Sequence, residues 1–152
     1  MNQERSILIL NIKSKRNKKA SRSRTKKRNK EQTNYSLDLA LLACKAANDK
    51  KGENIVLLDV SKLTVISDYF LIISANSKPH LQTLSRYISD TLSKSNTTLI
   101  SKEGIDNSTW AILDFGELIV HIMLEGERSF YKLESFWRNA TSMDNKLWKK
   151  AS

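Results

Sequence analysis

Apolar and other side chains alternate along residues 109–124 in a pattern that predicts a β-hairpin. The two predicted strands are Thr109–Phe115 and Leu118–Leu124, and a turn over Phe115-Gly116 joins them. Glycine suits this turn because it readily adopts the positive φ that tight hairpin turns require. The hairpin is therefore the clearest element that the sequence predicts.

The predicted register of the hairpin divides its side chains between two faces. Opposite residues in this register are Trp110 and His121, Ile112 and Ile119, and Asp114 and Glu117. These six residues and Met123 share one face, which carries an indole, an imidazole and two carboxylates. The other face is wholly apolar and consists of Ala111, Leu113, Phe115, Leu118, Val120, Ile122 and Leu124. The mixed face is typical of a binding surface.

Apolar periodicity predicts the remaining elements of an α/β (α+β) fold. They are a helix over Tyr35–Asp49, strands over Asn54–Val60, Tyr69–Ala75 and Thr97–Ser101, a helix from Pro79 to Ser93, and a helix over Glu127–Arg138. In the last helix, the residues expected to pack are Phe130, Leu133 and Trp137, and those expected to face outward are Tyr131, Glu134 and Arg138. The order α-β-β-α-β-β-β-α predicts a mixed β-sheet with helices packed on it.

The charge of the chain is concentrated at its N-terminus. The net charge is +10, and residues 1–34 hold 12 Lys/Arg and 2 Asp/Glu, which accounts for all of it (12 − 2 = 10). A stretch this basic and this poor in apolar residues is predicted to be disordered. We therefore predict a basic arm over 1–34, a folded domain over 35–140 and a C-terminal tail over 141–152.

Three interpretations of the basic arm remain open. It is a solvated extension, an organelle transit peptide, or an arm that contacts RNA phosphates, where each neutralised phosphate releases a counterion. The candidate RNA contacts are Lys18, Lys19, Arg22, Arg24, Lys26, Lys27 and Arg28. No aromatic residue lies among them, so the arm lacks the stacking platform typical of single-strand binding.

The sequence offers little catalytic chemistry. One cysteine, Cys44, and two distant histidines make no recognisable metal site, and no phosphate-binding glycine motif occurs. Asp59, Asp68 and Asp114 lie near strand ends, where a two-metal site could form, but a role in capping turns is the favoured interpretation. We therefore predict a non-enzyme without cofactor or metal. No apolar run is long enough for a membrane helix, so no membrane partner is expected.

Several stretches of the chain resemble the ribosomal silencing factor family, also called RsfS-like or Iojap-like proteins. They are DVSKLTVISDYFLIISANS from Asp59, Glu103-Gly104, WAILDFGELIVHIML from Trp110, and RSFYKLESFWR from Arg128. The resemblance covers roughly Leu37 to Arg138, nearly the whole predicted domain. It departs from the family pattern at the Ala75-Asn76-Ser77 turn, at Pro79 and in the basic arm.

The resemblance implies a domain with nucleotidyltransferase-like topology that is not an enzyme. It implies binding to ribosomal protein uL14 on the large subunit, which blocks joining of the small subunit and represses translation. The partner-binding residues it implies are Trp110, Leu113, Asp114, His121, Tyr131 and Glu134. A cytoplasmic location and self-association of the free protein are further expectations. The alternative is an assembly factor for the large subunit in a plastid or other organelle.

Overall fold

The computed structural model describes residues 30–104 and 108–149. The helices are α1 (Lys30–Asp49), α2 (Lys78–Ser93), α3 (Glu125–Tyr131), α4 (Leu133–Phe136) and α5 (Lys146–Lys149). The strands are β1 (Glu53–Asp59), β2 (Tyr69–Ala75), β3 (Ser101–Glu103), β4 (Trp110–Asp114), β5 (Leu118–Leu124) and β6 (Thr141–Ser142). None of the helices in these residues has the length and hydrophobicity needed to span a membrane.

The strands form one mixed sheet in the order β3-β4-β5-β2-β1-β6. The central strands β2 and β5 are parallel, and the other pairs are antiparallel. This confirms the predicted α/β fold with a mixed sheet. Central strands covered on both faces read as continuous apolar runs, and every residue of β2 is buried.

The first face of the sheet is covered by α1, α2 and α5. The predicted apolar face of the hairpin packs here, with side chains such as Ala111, Leu113 and Val120 in the core. Cys44 of α1 is fully buried in the same core. Burial raises the pKa of its thiol, because the charged thiolate is poorly solvated there.

The second face of the sheet is covered by the segment that follows the hairpin. Its buried core consists of Leu58, Val60, Ile66, Phe70, Ile72, Trp110, Ile112, Ile119, Met123 and Leu133. Tyr131 and Trp137 pack against this core and are partly buried. The mixed face that the sequence predicted is therefore largely interior, beneath α3 and α4.

The hairpin register differs from the predicted one by two residues. Trp110 lies opposite Met123, and His121 lies opposite Ile112. The turn is centred one residue later than predicted, because the Phe115 N–H donates to the Leu118 carbonyl at 2.8 Å and Gly116 takes the positive φ, at 94°. A shift of two residues leaves each side chain on its predicted face.

Several element limits also differ from the prediction. The first helix begins at Lys30 rather than Tyr35, so the last residues of the predicted arm are helical. Residues 1–29, with all seven candidate RNA contacts, lie outside the described ranges. The third strand is Ser101–Glu103 rather than Thr97–Ser101. The predicted helix Glu127–Arg138 is divided into α3 and α4 at Lys132, whose φ is 45°.

The predicted C-terminal tail, residues 141–152, is part of the fold over residues 141–149. β6 pairs with β1, placing Ser142 opposite Leu58. The Trp148 side chain of α5 is only 2% exposed and lies in the core of the first face. The folded unit therefore extends beyond the predicted boundary at residue 140.

Candidate partner-docking surface

A buried indole–imidazole pair lies beneath α3. β4 carries Trp110 and β5 carries His121, and both side chains are buried on the second face of the sheet. The Trp110 Nε1–H donates to His121 Nδ1 at 3.1 Å. Because an indole nitrogen can only donate, Nδ1 holds a lone pair, and the neutral imidazole carries its proton on Nε2.

The environment of His121 keeps its imidazole uncharged. Burial lowers the pKa of His121 from its usual 6.5 to about 3, because the imidazolium would lose its hydration. The Trp110 hydrogen bond acts in the same direction, since it requires an unprotonated Nδ1. His121 is therefore a neutral, hydrogen-bonded core residue at neutral pH.

Aromatic rings connect this buried pair to the protein surface. The Tyr131 ring lies 5.2 Å from the Trp110 ring, centroid to centroid, and Phe130 lies 5.0 Å from Tyr131. On the other side, Phe70 makes edge contacts with His121 at 5.6 Å and with Trp137 at 4.8 Å. Tilted and edge arrangements at such separations are favourable for aromatic pairs. The rings support α3 and α4 from below.

Two large aromatic side chains of α3 and α4 are exposed. Phe130 on α3 is 61% exposed, and Phe136 on α4 is 77% exposed. Tyr131 and Glu134 are half-buried. We call the outward side of residues 125–137, with Phe130, Tyr131, Glu134 and Phe136, the α3–α4 surface. Exposed aromatic groups of this kind are typical of protein interaction sites.

A buried arginine holds the α3–α4 surface in place. The Arg128 guanidinium donates from Nε to Glu134 Oε1 at 2.9 Å, and from Nη1 to the Ser74 hydroxyl of β2 at 2.9 Å. Its Nη2 lies 2.7 Å from the same Glu134 oxygen. This arrangement ties α3 to α4 and both to the sheet. It also spans Lys132, whose left-handed conformation ends α3.

The predicted partner-binding residues occupy different positions in the structure. Tyr131 and Glu134 lie on the α3–α4 surface, and Trp110 and His121 lie beneath it. Asp114 is buried, and its Oδ1 accepts the Gly116 N–H at 2.9 Å, which caps the hairpin turn. Leu113 does not reach this surface, because it is fully buried in the core of the opposite face.

The three strand-end carboxylates accept hydrogen bonds within the fold. Asp59 accepts the backbone N–H and hydroxyl of Ser61, and Asp68 accepts the Ser36 hydroxyl at 2.9 Å. Asp59 and Asp114 thus accept local backbone N–H groups in turns, as the favoured interpretation expects, whereas the Asp68 contact reaches α1. Across residues 30–104 and 108–149, no group of three or more His, Cys, Asp or Glu side chains is arranged to hold a metal ion.

The sequence prediction missed Arg128 and the exposed position of Phe130. It treated residues 127–138 as one helix, which turned Phe130 inward and Tyr131 outward. The break at Lys132 changes the helix phase, so Leu133 is buried while Phe130 is exposed. Neither proline nor glycine marks the break. The acidic Glu134, six residues after Arg128, was the one available signal for their ion pair.

A family model described as "Ribosomal silencing factor during starvation" matches residues 33–152. The chain belongs to the RsfS family. The ribosomal silencing factor RsfS of Bacillus subtilis is 35% identical over 103 residues, covering 68% of this chain and 87% of that protein. The chloroplastic protein Iojap of Zea mays is 35% identical over 108 residues, covering 71% of this chain and 47% of that protein.

The chain is also similar to a mitochondrial protein and to two proteins of known structure. A mouse protein named "Mitochondrial assembly of ribosomal large subunit protein 1" is 28% identical over 116 residues, covering 74% of this chain and 49% of that protein. A crystal structure from Chromobacterium violaceum has a TM-score of 0.65 and 29% identity, covering 66% of this chain and 84% of that chain. A crystal structure from Bacillus halodurans has a TM-score of 0.64 and 28% identity, covering 71% and 98%.

Proposed function

We propose that this RsfS-family chain silences ribosomes by binding ribosomal protein uL14 on the large subunit through the α3–α4 surface. The bound domain blocks the approach of the small subunit and so represses translation. The observation that carries this proposal is the exposure of Phe130 and Phe136, together with the ring contacts that join Phe130 through Tyr131 to the buried Trp110. Family membership supplies the ribosomal context.

The proposed mechanism is steric and needs no bond chemistry. An interface of roughly 1,600 Å² in total is sufficient for specific protein binding, and a domain docked over the subunit interface has only to occupy space. Aromatic side chains commonly supply most of the binding free energy in such interfaces. Phe130, Tyr131 and Phe136 provide those groups here, and Trp110 and His121 act indirectly by supporting Tyr131 from below.

Co-sedimentation of the full chain with purified large subunits tests the proposed surface. The double variant Phe130→Ala/Phe136→Ala should weaken binding by at least about 100-fold, since truncating one central interface aromatic often costs about 2 kcal/mol, a factor of roughly 30, and the variant removes two. The matched control is Ile100→Ala/Leu147→Ala, which removes two other exposed apolar side chains, 52% and 48% exposed. Equal binding by the two double variants would reject the α3–α4 surface.

Trp110 is a poor choice for this experiment, although the sequence suggests it. Its side chain is only 1% exposed, so truncation to alanine removes core packing worth roughly 3–5 kcal/mol. Lost ribosome binding in such a variant would report unfolding rather than a lost contact. Phe130 and Phe136 avoid this ambiguity because they contribute little to the core.

Assembly of the large subunit is the second candidate function. The mouse relative carries assembly of the ribosomal large subunit in its name, and the maize relative is chloroplastic. An assembly factor should bind immature large-subunit particles in preference to mature ones, whereas a silencing factor should bind mature subunits. Comparing co-sedimentation with the two kinds of particle distinguishes these functions.

The basic arm is proposed to add RNA contacts to this docking. The basic excess of residues 1–34 would raise the association rate with a polyanion and make binding depend on salt. Deleting residues 1–29 should weaken large-subunit binding at low salt and flatten its salt dependence, while specific docking survives. Unchanged salt dependence would instead favour the arm as a solvated extension or targeting segment.

A further inference from the structure

A polar groove lies on the side of the fold away from α3 and α4. It has a volume of about 300 Å³ and runs between α2 and β3, the outermost strand at one edge of the sheet. The residues that line it are Gln82, Ser85, Arg86, Ser89, Asp90, Leu99 and Lys102. None of these residues belongs to the α3–α4 surface.

The helix pattern explains why polar groups face the groove. α2 packs its apolar residues into the core of the first face. Gln82, Arg86 and Ser89 recur at intervals of four and three residues, so they lie along one side of the helix. Lys102 lies at the middle of β3, across the groove from them. Two cationic side chains from different elements therefore converge on one concave site.

The two cations of the groove are available to a ligand. Arg86 and Lys102 are both exposed, and neither side chain makes an ion pair or hydrogen bond with another described residue. A guanidinium offers several N–H donors in a fork that matches a phosphate, and an ammonium offers three. The Gln82 amide adds a further donor. These are the groups that typically bind phosphate oxygens.

We propose that the α2–β3 groove binds the phosphodiester backbone of ribosomal RNA. This inference rests on the proposed docking to the large subunit, whose surface is rich in RNA phosphates. α3 lies over β4 and β5 through the Tyr131–Trp110 contact, and β4 pairs directly with β3. The groove lies on the first face beside the edge strand β3, and α3 covers the second face, so RNA that binds the groove must reach around the β3 edge of the docked domain.

Asp90 should have the opposite effect on binding from the two cations, because its carboxylate repels an anionic ligand. Its exposed carboxylate lines the groove beside the two cations and repels a phosphate. Asp90→Asn should therefore strengthen RNA binding, whereas Arg86→Gln and Lys102→Gln should weaken it. Because any change of protein charge alters binding to a polyanion, these effects support the groove only if they exceed those of the same changes made elsewhere.

The salt dependence of binding measures the proposed contacts. Full-length protein is titrated with purified large subunits, and with protein-free ribosomal RNA, at several salt concentrations. Each lost phosphate contact should lower the slope of log K against log salt by roughly 0.7–0.9, so the double variant Arg86→Gln/Lys102→Gln should lower it by about 1.5. Affinity near 0.1 M salt should fall by about tenfold or more.

The control variant removes the same charge elsewhere. Lys51→Gln/Lys146→Gln deletes two exposed lysines outside the groove, and it should change the slope much less. Thermal unfolding establishes that each variant is folded. Slopes that fall equally in the groove and control variants would overturn the proposal, because general charge would then explain them.

The remaining outcomes also decide the question. A lower slope for intact subunits but not for protein-free RNA would indicate an acidic ribosomal protein in the groove and overturn the RNA assignment. If wild-type protein fails to bind large subunits, the proposed docking function fails, and the titration with protein-free RNA still decides the groove. In that titration, wild-type salt dependence in the Arg86→Gln/Lys102→Gln variant would reject the proposed RNA site.

Discussion

The buried imidazole of His121 should make the folded protein unusually sensitive to mild acid. Burial lowers its pKa from 6.5 to about 3, so the unfolded chain binds a proton below pH 6.5 that the folded chain excludes. Stability from this group is fully present above pH 6.5 and is lost as the pH falls toward 3. Each pH unit within this window costs about 1.4 kcal/mol.

The expected magnitude can be isolated with a residue that does not titrate. Between pH 7.5 and pH 4.5, protonation of the unfolded His121 should lower the free energy of unfolding by about 2.7 kcal/mol. His121→Gln retains a polar group but binds no proton, so its free energy of unfolding should fall by about 2.7 kcal/mol less than that of the wild type over the same pH range. Urea unfolding, followed by circular dichroism at several pH values, gives both curves.

The comparison uses the pH dependence rather than the stability at one pH. His121→Gln disturbs the Trp110 hydrogen bond, so a constant loss of stability at every pH is expected. Acidic side chains titrate in both proteins and largely cancel in the difference. Parallel curves for wild type and variant would refute the claim that His121 is buried and neutral in the folded protein.

Three further predictions concern the core and the support of the α3–α4 surface. Trp148→Ala should lower the free energy of unfolding, measured with urea, by roughly 3–5 kcal/mol, because Trp148 is only 2% exposed in the core. The control Leu147→Ala, at an exposed neighbour, should lower it by less than about 1 kcal/mol. Arg128→Met should lower the free energy of unfolding by roughly 1.5–3 kcal/mol in the same assay, since it removes the charge-assisted hydrogen bonds to Glu134. An unchanged free energy would contradict the role of Arg128 in holding α3 and α4 together. Cys44 should resist a thiol reagent in native protein, because it is fully buried, and should react rapidly after unfolding in urea.

The sequence predicted the sheet well because alternation determines which side of a strand each residue faces. Trp110, Ile112, Ile119 and Met123 share one core, and Ala111 and its apolar partners share the other. Alternation could not determine the turn, since moving its centre by one residue shifts opposite residues by two and leaves both faces unchanged. The backbone hydrogen bond from Phe115 to Leu118 selects the observed register.

Long-range contacts explain the features that the sequence did not reveal. The division of α3 from α4 depends on Arg128, which reaches Ser74 on a distant strand, and local helix propensity cannot predict such a contact. Trp148 lies in a four-residue helix, which is too short for a recognisable apolar period. Alternation also gave no sign that α3 and α4 would cover Trp110 and His121, so these two predicted binding residues instead support Tyr131 from below.

Subunit joining tests the central claim most directly. Light scattering follows the association of purified small and large subunits after the large subunits have been incubated with saturating full-length protein. We expect wild type and the control Ile100→Ala/Leu147→Ala to suppress joining, and Phe130→Ala/Phe136→Ala to permit it. Normal joining with wild-type protein bound, or full suppression by the Phe130/Phe136 variant, would contradict steric silencing through the α3–α4 surface.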